Sequence, residues 1–149
     1  MKLRVYLDTS VFSAHDDERA PDRLAETREF WSRLSEFDAS TSDLAAAELH
    51  QTPDPVKRAR LEALLRNVVI HPVTDEMRVL AERYVDGGAF SAGMFNDTLH
   101  VAAAVLTGQD ILLSWNFRHL VNRRRRAQVN EINILSGLPT VEIVAPPEM

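Results

Sequence analysis

The chain has 149 residues, with 17 basic and 22 acidic side chains, a formal net charge of -5 and no cysteine. That length suits one domain with a proper core, and 45% hydrophobic with 26% charged residues excludes wholesale disorder. The lack of cysteine excludes disulfides, thiolate metal sites and cysteine nucleophiles, and the net acidity argues against a protein that coats nucleic acid by bulk charge.

Arg4-Val5-Tyr6-Leu7 reads as a short buried strand that ends at Asp8. Residues 13–23 are polar and contain Pro21, so they read as a loop or broken helix. Leu24, Thr27, Trp31 and Leu34 recur at helical spacing, widened by Phe30 and Phe37, which predicts an amphipathic helix over 23–37. Ala39 to Thr41 is a candidate strand. Ser42 offers an N-cap oxygen for a helix that runs to His50, and Thr52-Pro53-Asp54-Pro55 breaks it.

A helix follows over 55–65, then a strand at Val68 to Ile70. Thr74, Asp75 and Glu76 start a helix that Gly87-Gly88 stops. Residues 89–95 read as a loop. Asn96 or Asp97 opens an alanine-rich helix to Leu106, and Ile111 to Leu113 is a strand leading into Ser114-Trp115-Asn116. A mostly helical region reaches Gly137, and Val141 to Val144 is the last strand. This alternation predicts an α/β fold, with a mainly parallel sheet between helices. No repeat or linker divides the chain, so one domain over 1–149 is expected.

The first apolar run stops at Asp8 and the longest, Val101 to Leu106, is far too short to span a bilayer. A cytoplasmic protein with no membrane contact is expected. Charge is uneven along the chain. Residues 98–149 hold 5 basic and 4 acidic side chains, so the acidity belongs to residues 1–97.

In open parallel sheets the working residues lie beyond the carboxyl ends of the strands. Asp8 follows the first strand and Asn116 follows the Ile111–Leu113 strand. Glu48 and Asp97 sit on helices that are otherwise apolar and small-sided. Each acid alone also has an ordinary explanation: Asp8 ends a strand, Asp97 caps a helix and Glu48 faces solvent. Gathered at one end of a sheet, however, they would repel unless cations were present. Hard oxygen ligands of this kind select Mg²⁺ or Mn²⁺, ions that activate water in phosphodiester hydrolysis.

Four segments occur in order: Tyr6-Leu7-Asp8-Thr9-Ser10-Val11-Phe12, Ala47-Glu48-Leu49, Asn96-Asp97-Thr98-Leu99-His100-Val101-Ala102-Ala103-Ala104, and Ile111-Leu112-Leu113-Ser114-Trp115-Asn116-Phe117. Together they resemble a PIN domain of the VapC toxin type over nearly the whole chain. The resemblance implies a three-layer α/β/α sandwich and an RNA endonuclease that leaves a 5′-phosphate. It also implies a homodimer and a VapB-like antitoxin partner encoded beside it.

Residue by residue, Asp8, Glu48 and Asp97 match the family's three core acids, and Asn116 occupies the fourth acidic position. Asn keeps a carbonyl acceptor but supplies no charge. The implied mechanism has Asp8 and Asp97 holding Mg²⁺ or Mn²⁺. Glu48 would hold a second ion or orient the attacking water. Thr9, Ser114 and His100 are candidates to support the carboxylates or contact phosphate.

Arg123, Arg124, Arg125 and Arg126 are a candidate RNA-backbone contact or simply a solvated face. Trp31, Phe30, Leu34 and Phe37 are either core or part of a groove for the antitoxin. His119, three residues after Asn116, is either locally satisfied or part of the site. A phosphatase-like fold also begins with a strand and Asp, but it wants a second acid where this chain has Ser10. The alternative that Asn116 keeps open is a degenerate PIN domain, a non-catalytic module that binds RNA or protein.

Overall fold

A computed structural model describes residues 1–149. Five strands form one sheet: β1 (Arg4–Leu7), β2 (Asp38–Ser42), β3 (Val69–His71), β4 (Ile111–Leu113) and β5 (Glu142–Val144), in the order β3-β2-β1-β4-β5. Every neighbouring pair is parallel. Seven helices connect them: α1 (Thr9–Ser13), α2 (Pro21–Ser32), α3 (Asp43–His50), α4 (Pro55–Leu64), α5 (Asp75–Asp86), α6 (Phe95–Leu106) and α7 (Arg123–Leu135).

Side chains alternate across a strand, so a sheet covered on both faces builds two cores. Val5, Leu7, Ile111 and Leu113 point to one side, where Phe12 of α1, Phe30 of α2, Leu49 of α3 and Leu61 of α4 cover them. Tyr6, Leu112 and Ile143 point to the other, against Leu80 and Tyr84 of α5, the apolar run of α6, and Val129 of α7. Small side chains let α6 lie close to the sheet: Val101, Ala102, Ala103 and Ala104 are all fully buried.

The helix ends follow local chemistry. Asp54 caps α4 by accepting the Val56 amide at 2.9 Å, with Pro55 in the first turn, where its missing N–H costs nothing. Asn122 caps α7 through the Arg125 amide at 2.8 Å. Three local expectations change. Residues 9–13, given no helix from sequence, form α1 because Asp8 caps it, accepting the Ser10 amide at 3.0 Å. The helix expected over 23–37 stops at Ser32, and Leu34–Glu36 form a separate 3-10 turn. Ser42 precedes α3 but makes no side-chain cap, because its hydroxyl bonds the buried Tyr6 phenol at 2.6 Å instead.

This topology fixes where a site can form. The chain builds outward from β1 through β2 to β3, then returns to lay β4 on the other side of β1. The order reverses between β1 and β4, and the crevice beyond their carboxyl ends is where ligands of such sheets bind.

Candidate active site

Leu7 of β1 is in register with Leu113 of β4, so the next residues, Asp8 and Ser114, meet at the mouth of that crevice. Asp8 is only 4% exposed. Its Oδ1 accepts from the Ser10 amide at 3.0 Å and the Ser10 hydroxyl at 2.5 Å. Its Oδ2 accepts from the Ser114 hydroxyl at 2.6 Å. Burial pushes the Asp8 carboxyl above its ordinary pKa, although nearby His100 and these hydrogen bonds oppose the shift. No Lys, Arg or His nitrogen lies within salt-bridge distance of it.

The loop after β4 carries the site toward α6. Ser114 Oγ accepts the Asn116 amide at 2.9 Å, and Asn116 Oδ1 accepts the His119 amide at 2.9 Å. The His119 ring Nδ1 donates to Asp97 Oδ2 at 2.9 Å. Asp97 lies in the first turn of α6 but does not cap it; Met94 holds the cap position. A continuous chain of hydrogen bonds thus joins Asp8 to Asp97 through Ser114, Asn116 and His119.

A second chain holds Glu48. His100 Nε2 lies 2.8 Å from Glu48 Oε1, and the Thr9 hydroxyl donates to the same oxygen at 2.9 Å. A carboxylate only accepts, so Nε2 carries a proton toward Glu48, and Nδ1 shares a hydrogen bond with the Tyr6 phenol at 2.7 Å. The Ser42 hydroxyl closes the chain on Tyr6. Burial disfavours the Glu48 charge, but the bond and charge of His100 and the Thr9 hydroxyl outweigh it, so its pKa falls below the ordinary value. Glu48 Oε2 makes no hydrogen bond, and its side chain is 32% exposed.

Asp8, Glu48, Asp97, Asn116, Thr9, Ser114 and His100 are therefore all placed in these two networks. Sequence reasoning missed Ser10, Tyr6 and Ser42, and it left His119 between two readings. Ser10 also accepts the Trp115 amide at 2.9 Å, tying α1 to the loop after β4. The run of four arginines divides. Arg125 donates to the Ala89 carbonyl and lies over the Phe90 ring at 4.5 Å, while Arg126 donates to the Ile143 carbonyl at 2.9 Å. Arg123 and Arg124 are exposed. Phe30 is core, whereas Trp31, Leu34 and Phe37 line an open groove of about 760 Å³ with Leu64, His15 and Arg28.

The donors around the crevice are carboxylate, hydroxyl and amide oxygens, which suit a hard divalent cation. A buried Asp8 with no cationic partner fits such an ion electrostatically. As placed, no three carboxylate or imidazole groups enclose a single point, because each acid is turned onto its own hydrogen-bond partner.

The family profile described as "PIN domain" matches residues 5–141. No curated protein matches the chain significantly. Among solved structures, the fold is similar to that of VapC20 from Mycobacterium tuberculosis, described as a sarcin-ricin loop cleaving toxin. The TM-score is 0.61 at 16% identity, over 77% of this chain and 92% of that one. It is similar to VapBC2 from Rickettsia felis, bound to a DNA fragment from its promoter, with TM-score 0.62 and 11% identity over 96% and 98% of the two chains. DNA-bound VapBC from Salmonella typhimurium gives TM-score 0.61 and 14% identity over 97% and 98%. At these identities the likeness is one of fold.

Proposed function

This chain belongs to the PIN-domain family, and from that premise we propose that it is a metal-dependent endoribonuclease of the VapC toxin type. The observation that carries the reading is the crevice between β1 and β4. There a buried, cation-free Asp8 is wired to Asp97, with Glu48 held close by through Thr9 and His100. Few features of a stable fold call for a buried carboxylate with no cationic partner.

The reaction is hydrolysis of a phosphodiester: a water oxygen bonds to phosphorus and gives up a proton, the bond to the 3′ oxygen breaks, that oxygen takes a proton from solvent to leave as a hydroxyl, and a 5′-phosphate remains. Asp8 and Asp97, with Glu48, would hold Mg²⁺ or Mn²⁺. When bound, the ion supplies charge neutralisation and an acidified water. Glu48 Oε2, free of any hydrogen bond, would orient the attacking water, while Thr9 and His100 fix Oε1. The protonated Nδ1 of His119 fixes Asp97. Asn116 shapes the loop through the His119 amide. The solved relatives described as VapBC complexes support a VapB-like antitoxin as partner. A homodimer follows from the same family reading.

The test is cleavage of single-stranded RNA by pure protein with Mn²⁺. Asp8→Asn and Asp97→Asn should each lower the rate at least a hundredfold. Unchanged rates in both would place the activity elsewhere. A second reading, a non-catalytic RNA- or protein-binding PIN domain, draws on Asn116, whose Oδ1 is spent on a backbone amide where the family has an acid. Wild-type protein that binds RNA but never cuts it would favour that reading.

A further inference from the structure

Beside the crevice stands an aromatic pair that no catalytic step uses. Trp115 is buried and Phe117 is 47% exposed, with ring centroids 6.0 Å apart at 69°. The Arg23 guanidinium carbon lies over both rings, 5.3 Å from the Trp115 centroid and 5.4 Å from that of Phe117. The assembly is fixed from both ends. Trp115 Nε1 donates to Thr27 Oγ1 at 2.8 Å, and Thr27 Oγ1 donates to the Arg23 carbonyl at 2.5 Å, one turn back along α2. The Phe117 amide donates to the Trp115 carbonyl at 2.9 Å, and Asn122 Nδ2 donates to the Phe117 carbonyl at 3.4 Å.

An exposed phenyl ring in a loop adds little to a core. This one is nevertheless held rigidly, one residue after Asn116. Arg23 is exposed and joins no ion pair, so its guanidinium donors are unspent. A rigid ring stacked with a free guanidinium matches one ligand chemistry well: an unpaired nucleobase with the phosphate attached to it.

We propose that Phe117 and Arg23 form a stacking subsite for one unpaired base of the substrate strand, adjacent to the phosphate that is cut. The base stacks on the exposed part of the Phe117–Arg23 assembly, and Arg23 donates to a neighbouring phosphate oxygen. The inference rests on the ribonuclease reading. It adds a position along the strand at which the presence of a base matters.

The experiment measures binding of a fluorescein-labelled single-stranded oligoribonucleotide by anisotropy, with Ca²⁺ replacing Mg²⁺ to suppress cleavage. A single abasic nucleotide is moved through the strand. Wild-type protein should lose about tenfold in affinity when the abasic nucleotide occupies the subsite. Phe117→Ala should bind the intact strand about tenfold more weakly and show no further loss at that position. Phe117→Trp should restore binding, and Arg23→Gln should weaken it several-fold. Circular dichroism identical to wild type checks that these exposed changes leave the fold intact.

Should Phe117→Ala bind like wild type, or keep the abasic penalty, the subsite is wrong although the ribonuclease reading stands. Wild-type protein that neither binds nor cleaves RNA would overturn both.

Discussion

Asp8 is a carboxylate that water hardly reaches, and its charge has no cationic neighbour. Because burial raises its pKa, the folded state binds the proton more tightly than the unfolded chain does. The contribution of Asp8 to stability is therefore greatest below the ordinary carboxylate pKa of about 3.9 and falls as pH rises through the raised folded value. Asp8→Asn removes the charge while keeping a similar shape, and the Ser10 and Ser114 hydroxyls can turn to accept from the new amide. At pH 7 the variant should melt higher than wild type, with the gain vanishing toward pH 4. Millimolar Mn²⁺ should stabilise wild type and not the variant. Melting curves at the two pH values, with and without Mn²⁺, check this; a variant less stable at pH 7 would mean that its hydrogen bonds outweigh its buried charge.

The residues that carry this chemistry were unequally legible. Acids at the end of a strand or on an alanine-rich helix stand out in a sequence because charge there is expensive. Tyr6 and Ser42 do not, because on a strand they read as ordinary core and cap. They acquire a role only when β1 and β2 pair and bring the phenol to the Ser42 hydroxyl. Ser10 was hidden for the same reason: α1 is five residues long, and its start depends on the Asp8 side chain rather than on periodicity.

At the scale of elements, alternation of strands and helices was readable throughout, since each strand is a short apolar run bounded by a turn. What the sequence blurred was α7, whose four arginines and two asparagines conceal its buried face. Its buried residues are Val129, in the core, and Asn133. Asn133 accepts from the Tyr84 phenol of α5 and donates to Asn130 at 3.2 Å. Asn130 in turn exchanges two hydrogen bonds of 2.9 Å with the Val141 backbone just before β5. One polar chain therefore fastens α5, α7 and the sheet edge where periodicity predicts apolar contact. Tyr84→Phe leaves the buried Asn133 carbonyl oxygen without its donor, which should cost about 1–3 kcal/mol. Thermal unfolding should fall by roughly 2–4 °C for each kcal/mol lost. An unchanged melting temperature would show that Asn133 finds another partner.

For the whole molecule, the net charge of -5 is a poor guide to an RNA-handling surface, because some of the acids are gathered in the crevice and the basic run is divided by the fold. Arg125 and Arg126 spend their guanidinium groups on backbone carbonyls, which leaves Arg123 and Arg124 free to meet a phosphate backbone. Each phosphate neutralised on a single strand contributes about 0.7 to the slope of log affinity against log salt. On the ribonuclease reading, replacing Arg123 and Arg124 with Gln should flatten that slope by at most about 1.4 while leaving the melting temperature nearly unchanged. Arg126→Gln should do the reverse, lowering stability through the lost bond to Ile143 and leaving the slope alone. RNA binding titrated at several salt concentrations separates the two effects. A slope that is unchanged in the Arg123/Arg124 variant would remove the run from RNA contact and move the phosphate contacts toward Arg23.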